Sequence, residues 1–212
     1  MPSDTSRPTP TKTFRPATAI EVLALLLILA LAAYLRLANN ADNPGWYTDE
    51  GTHLSIAQNL ARGRVQYLAI KDATLLFAKL PLFELLLAGL LRLGGADMAT
   101  LRTLTGVLGV ATVGTLYGVV RAIKKDAALA LLAALLLALY PQAVLYSRFG
   151  FSYNLLAPLV LLVYLGLWRY LDAPPETPAH RRGLALAALA IGVGGVSDLW
   201  MFALLAPLLA VV

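Results

Sequence analysis

Cysteine is absent from the 212 residues, and histidine occurs only twice. The first absence excludes disulfides and thiolate metal sites, and the second leaves little for a histidine-built metal centre. Charge is scarce too, at 14% Asp, Glu, Lys and Arg against 59% hydrophobic residues, with a mean hydropathy of +0.72. That apolar excess is more than one soluble core can use, and it marks an integral membrane protein. No phosphate-cradling glycine loop, nucleophile elbow or zinc motif occurs in the chain. The formal charge of +5 does not indicate a nucleic-acid partner. Most basic residues lie in short loops between apolar runs, where they set membrane orientation.

Residues 1–18, MPSDTSRPTPTKTFRPAT, are rich in Pro and Thr and carry Arg7, Lys12 and Arg15, the pattern of a disordered basic tail. The run from Ala19 to about Ala38 is long enough to span, and no small-residue cleavage site closes a shorter core, so it reads as a span and not a cleaved signal. Further apolar runs lie at about 74–93, 101–121, 127–146, 155–171 and 184–212, the last interrupted by GVGGVSD at 192–198. A crossing needs ~20 residues at 1.5 Å rise each. The chain stops inside an apolar stretch, MFALLAPLLAVV, and the expectation is that 19–212 form the N-terminal part of a longer or truncated transmembrane domain.

The run at 74–93, TLLFAKLPLFELLLAGLLRL, differs in kind because it carries Lys79, Pro81, Glu84 and Arg92. Central charges cost roughly 2.5–3.5 kcal/mol each on insertion scales, so this run either spans or lies in the interface as an amphipathic or re-entrant helix. Orientation separates the two. If 74–93 does not cross, nine of the 17 basic residues collect on the cytoplasmic side: Arg7, Lys12, Arg15, Arg121, Lys124, Lys125, Arg169, Arg181 and Arg182. If it crosses, the last six fall outside. The non-spanning form is therefore favoured, with a cytoplasmic N-terminus and an external loop from about 39 to 100. Asp49–Glu50, YSRFGFSYN at 146–154 and Ser197–Asp198 then face one outer surface.

Residues 50–62, EGTHLSIAQNLAR, have apolar positions at helical spacing, so a short interfacial helix begins beside Asp49. Thr48 or Asp49 can cap that helix, and acids favour its positive end. Capping needs only one such residue, and it leaves the second acid, the Trp46–Tyr47 pair and Arg62 and Arg64 without a role. The alternative is a general base at the membrane surface, taking the proton from an attacking hydroxyl. Glu50 and His53 also make an E-x-x-H pair, half of a di-metal pattern, but His180, the second histidine, falls on the opposite side of the membrane. Arg148 sits at a span mouth, where it either snorkels or binds a lipid phosphate. Lys79 is a second phosphate candidate, or a structural partner of Glu84. The aliphatic runs AALALLAALLLALY and GLALAALAIGVGG read as close helix packing in lipid.

The order PGWYTDEGTH with AQNLARG, then KLPLFELLLAGL, LRTLTGVLG and YPQAVLYSRFGFSYN resembles the start of GT-C membrane glycosyltransferases, in particular protein O-mannosyltransferase-like and lipid A aminoarabinose transferase-like enzymes. The resemblance runs from about residue 20 onward and is most specific at the Asp-Glu element. It implies an all-α polytopic membrane bundle with interfacial helices in its external loop. It further implies inverting sugar transfer at the outer face of the cell membrane, from a polyprenyl-phosphate-linked donor to a hydroxyl of a protein, lipid or glycan acceptor. Carried onto this chain, Asp49 is the base and Glu50 positions acceptor or donor. Arg148, Lys79 and Arg102 stand near the departing phosphate, and Tyr47, His53 and Asn154 complete the substrate-binding set. The loop around 146–154 also resembles its counterpart in the oligosaccharyltransferase catalytic subunit, which likewise follows a Ser-Arg in an outward-going span.

Departures from the family pattern fall at three places. Neutral Asn154 stands where related enzymes commonly carry an acid, Leu80–Pro81 where they often place two prolines, and Asp198 where many have a basic residue. The first favours a metal-independent mechanism with no cofactor, a divalent metal being possible but not favoured. Two rivals to the enzyme remain: a non-catalytic membrane scaffold or truncated relative, and a transporter fragment using Glu84 and Asp198 as intramembrane charges. The transporter is weakened because the acids cluster outside the spans and the halves show no repeat.

Overall fold

The computed structural model describes residues 18–65, 82–95 and 97–211. Among them every regular element is helical: α1 (Ala19–Leu37), α2 (Thr48–Ala61), α3 (Leu82–Gly94), α4 (Met98–Lys124), α5 (Ala127–Leu139), α6 (Pro141–Arg148), α7 (Tyr153–Asp172), α8 (Pro178–Gly195), a 3₁₀ helix over Leu199–Leu204, and α9 (Leu205–Val211). The starts follow side-chain capping. Thr18, Asp97, Asp126 and Thr177 each accept from the backbone N–H three residues on, at 2.9–3.3 Å, and Pro178 follows Thr177 at the first helical position. Lys125 ends α4 in the left-handed region at φ 53°.

Two long helices set the frame. At the tail end of the bundle, beside Thr18, Arg121 Nε donates to Glu21 Oε1 at 2.7 Å and the Tyr117 hydroxyl donates to the same oxygen at 2.5 Å. At the opposite, loop end, Arg102 Nη1 on α4 donates to the carbonyls of Asn40 and Ala41, just past α1. α1 and α4 are therefore antiparallel, and the chain between them leaves and rejoins the bundle at the loop end. α3 has 13 residues, ~20 Å at 1.5 Å each, short of a ~30 Å hydrocarbon core. Its Phe83, Leu87, Ala88 and Leu91 pack on Ala57, Leu101 and Leu155, while Leu85, Leu86, Leu90 and Leu93 are exposed. The first eight residues of the run at 74–93, Lys79 among them, lie outside the described residues, and with them the expectation about whether that run crosses.

One expected span is broken. The run at 127–146 divides after Leu139 into α5 and α6, which meet at 58°. Pro141 has no N–H to donate to the Leu137 carbonyl, and its ring holds Tyr140 extended at φ −62°, ψ 114°. Arg36 of α1 fills the gap, donating from Nη2 to Leu137 O at 3.1 Å and from Nη1 to Ala138 O at 3.0 Å. Three described helices are long and apolar enough to cross a membrane, namely α1, α4 and α7, and the α5–α6 pair makes a fourth if counted as one span. α8 is not among them, because Arg181 and Arg182 occupy its first turns.

α7 and α8 form a close hairpin whose axes approach at Gly166 and Gly183. A Cβ at Gly183 would lie 2.5 Å from the Tyr170 backbone nitrogen, and one at Gly166 would lie 2.6 Å from that of Ala187. Val163, Ala187, Ala190 and Ile191 pack around this contact. Gly183→Leu should therefore lower the thermal midpoint of the detergent-solubilised protein by the equivalent of about 1–3 kcal/mol through overpacking. Gly118→Ala, with open space at its Cβ, should leave the midpoint unchanged or raise it slightly.

Candidate functional site

The candidate site begins at the N-terminus of α2. Tyr47 is the residue before the helix, with extended backbone at φ −127°, ψ 139°. The sequence points to Thr48 or Asp49 as the cap, but Glu50 performs it, reaching back so that Oε2 accepts from the Tyr47 N–H at 3.1 Å. Oε2 also accepts from Arg102 Nη2 at 2.8 Å, and Oε1 accepts from Arg102 Nε at 2.8 Å and from the Gly150 N–H at 2.8 Å. Glu50 is fully buried, and both of its oxygens are shared between the fork of one arginine and two backbone donors. Burial alone would raise its carboxyl. The Arg102 guanidinium and the N–H groups of Gly150 and Tyr47 outweigh that and hold it below its ordinary value.

Arg102, expected beside a donor phosphate, is spent inside the protein. It is 2% exposed, and beyond Glu50 it donates to the carbonyls of Asn40, Ala41 and Pro44 from Nη1 and of Gly45 from Nη2. The pair thus ties α2, the start of α4, the 40–45 loop and the 149–151 turn into one knot. Gly150 is required in that turn, since a Cβ there would sit 2.4 Å from Leu101 Cδ2. The FGF triplet was the sequence signal for this contact, and it was read only as loop.

Arg148 also differs from expectation. Its guanidinium gathers the carbonyls of Leu35, Ala38, Asn39 and Asn43 at 2.7–3.1 Å, capping the C-terminus of α1. Asn154 donates to the carbonyls of Tyr146, Phe149 and Phe151 at 3.1–3.3 Å and so shapes the loop. The Tyr47 ring joins Phe149 and Phe151 edge-on, at centroid distances of 5.8 and 5.4 Å.

His53, assigned from sequence to substrate binding, is buried one turn along α2. Its Nδ1 lies 2.7 Å from Glu84 Oε1 of α3, with the Phe83 ring edge-on at 5.3 Å. These contacts join α2 to α3. Glu50 and His53 therefore share a helix face without sharing a ligand. Among the described residues no three His, Asp or Glu side chains gather as a metal site.

Asp49 contrasts with all of these. It is exposed, and its carboxylate makes no hydrogen bond or ion pair with another of the described residues. The acidic pair is thus divided into a buried anchor and an open carboxylate beside an aromatic wall. The 196–198 turn reaches the same end of the bundle: the Leu82 N–H donates to Val196 O at 3.3 Å, and Asp198 caps the 3₁₀ helix by accepting from Trp200 N at 3.1 Å.

No protein-family model matches the sequence, and no curated protein matches it. The described residues form an all-α, polytopic membrane bundle. A solved structure with a similar fold is the protein O-mannosyltransferase Pmt1–Pmt2 complex of S. cerevisiae bound to the sugar donor, with a TM-score of 0.74 over 91% of this chain at 20% identity. The chain spans 27% of the length of that protein.

Two substitutions separate the acids. Glu50→Gln leaves the buried Arg102 without its counter-charge and should cost about 3–5 kcal/mol in thermal unfolding. Asp49→Asn should stay within about 0.5 kcal/mol of the parent. The folded-state value of Glu50 lies below its unfolded value, so its stabilisation is complete above the unfolded value and fades as pH falls through the folded one. A Glu50→Gln protein should accordingly lose less stability on acidification than the parent does.

Proposed function

We propose that this chain carries the base-bearing part of an inverting glycosyltransferase, moving a sugar from a polyprenyl-phosphate-linked donor to an acceptor hydroxyl at the outer face of the membrane. The observation that carries this is the open Asp49 carboxylate, held at the start of α2 by the Glu50–Arg102 knot within a fold like that of a sugar-donor-bound O-mannosyltransferase. Asp49 accepts the proton of the acceptor hydroxyl as its oxygen attacks the anomeric carbon. The new C–O bond forms on the face opposite the bond to phosphate, which breaks and releases the lipid phosphate with its electron pair. Glu50 serves by positioning, because its oxygens are committed to protein donors. The phosphate is a good leaving group and calls for cations more than for a general acid. Lys79 remains the proposed cation for it, and Arg148 joins it only by releasing part of its hold on α1.

The transfer is proposed to proceed without a resident metal, since Asn154 supplies an amide where related enzymes carry an acid, and that amide is spent on loop carbonyls. The acceptor is a protein, lipid or glycan hydroxyl.

Asp49→Asn should lower kcat by about 10²–10⁴-fold, the ordinary contribution of a general base, with the thermal midpoint retained. Transfer from a polyprenyl-phospho-sugar measures it, and unchanged turnover would remove Asp49 from the role. The cysteine-free chain also permits a topology test. Asp97→Cys should label from outside intact cells and Lys124→Cys only after permeabilisation; the reverse pattern would place the site on the inner face.

A further inference from the structure

Several described arginines are engaged with the protein, and most have evident compensation. Arg102 has Glu50, Arg121 has Glu21, and Arg148 is half-exposed among carbonyls. Arg36 is different. It is 1% exposed, near the loop end of α1, and donates to the carbonyls of Ala32, Leu137 and Ala138. Among the described residues no carboxylate pairs with it, and its buried Nε has no hydrogen-bond partner. A guanidinium does not shed its proton in a protein, and carbonyl dipoles are not a counter-charge, so the position holds a buried cation still lacking an anion.

A cavity of about 300 Å³ adjoins it. Arg36, Thr112 and Ser147 supply its polar lining, while Leu137, Ala143 and Ala157 are apolar. Tyr146 and Tyr153, both more than half exposed, also belong to the wall. Gly109 makes the room: a Cβ there would stand 3.0 Å from Arg36 Nε and 2.6 Å from Ser147 Cβ. Arg36 is the second-last residue of α1, which puts the guanidinium at the depth where a spanning helix meets headgroups, and tyrosines favour that depth. The volume sits at the lower end of ligand-sized pockets, enough for a headgroup and the upper part of one chain.

We propose that this cavity is a binding site for an anionic phospholipid of the bilayer, its phosphate held at the wall by the charge of the Arg36 guanidinium and its acyl chain starting along Leu137 and Ala157. The phosphate supplies the missing counter-charge, and the break between α5 and α6 gives it a place at the edge of the bundle. Asp49 takes no part in the site, while Phe151 and Asn154 of the neighbouring loop belong to its wall.

The test uses the full chain, delipidated in detergent and titrated with phosphatidylglycerol, with native mass spectrometry counting retained lipid. Ala143→Leu and Ala157→Phe fill the cavity while leaving Arg36 in place, and each should lower retention at least tenfold. Arg36→Gln should do the same, and Asp49→Asn should retain lipid as the parent does. Undiminished retention in both cavity-filling variants would overturn the proposal. So would displacement of phosphatidylglycerol by equimolar polyprenyl phosphate, which would make this the sugar donor's site, or by millimolar inorganic phosphate, which would make it a site for a soluble anion.

Discussion

The buried pair between Glu50 and Arg102 is the constraint on which the loop end depends. Two charges taken out of solvent are tolerable only when their remaining donors and acceptors are met, and here both sets are met by backbone. Arg102 collects the carbonyls of the 40–45 loop, and Glu50 collects the N–H groups of Tyr47 and Gly150. Removing either charge unseats the loop, the interfacial helix and the aromatic turn together. The exposed carboxylate of Asp49 owes its place to this knot while contributing nothing to it.

The same solution recurs around the bundle. Arg148 takes up the carbonyls at the end of α1, and Arg36 takes up those stranded by Pro141. In a membrane no water reaches such groups, so arginine side chains from neighbouring helices become the means of ending or breaking a helix. Abundant apolar residues set the number of helices, and a few arginines set where those helices stop.

The helical class and the membrane character were legible because they rest on run length and the scarcity of charge, which are local properties. The Asp49–Glu50 element stood out for the same reason, two acids next to two aromatics at a helix start being unusual in an apolar chain, and the helix start is where the structure has it. What stayed hidden were pairings across 52 to 113 residues of separation, such as Glu50 with Arg102 and Arg148 with Leu35. Sequence showed which arginines sit at span mouths, and the natural assignment was to lipid phosphate. Only the fold shows that backbone carbonyls had already claimed Arg102 and most of Arg148. The contact of His53 with Glu84 stayed hidden for a related reason, Glu84 having a nearer candidate partner in Lys79, five residues away on the same run.

The double pinning of α1 and α4 also bears on how the protein can move. A slide of one helix past the other by a single turn, ~5.4 Å, would break the Glu21–Arg121 contact at one end and the Arg102 contacts to Asn40 and Ala41 at the other in the same stroke. Shear between these two helices is thereby locked. The two helices stand as a pair of posts, and α2 and α3 pack against the α4 post at the loop end.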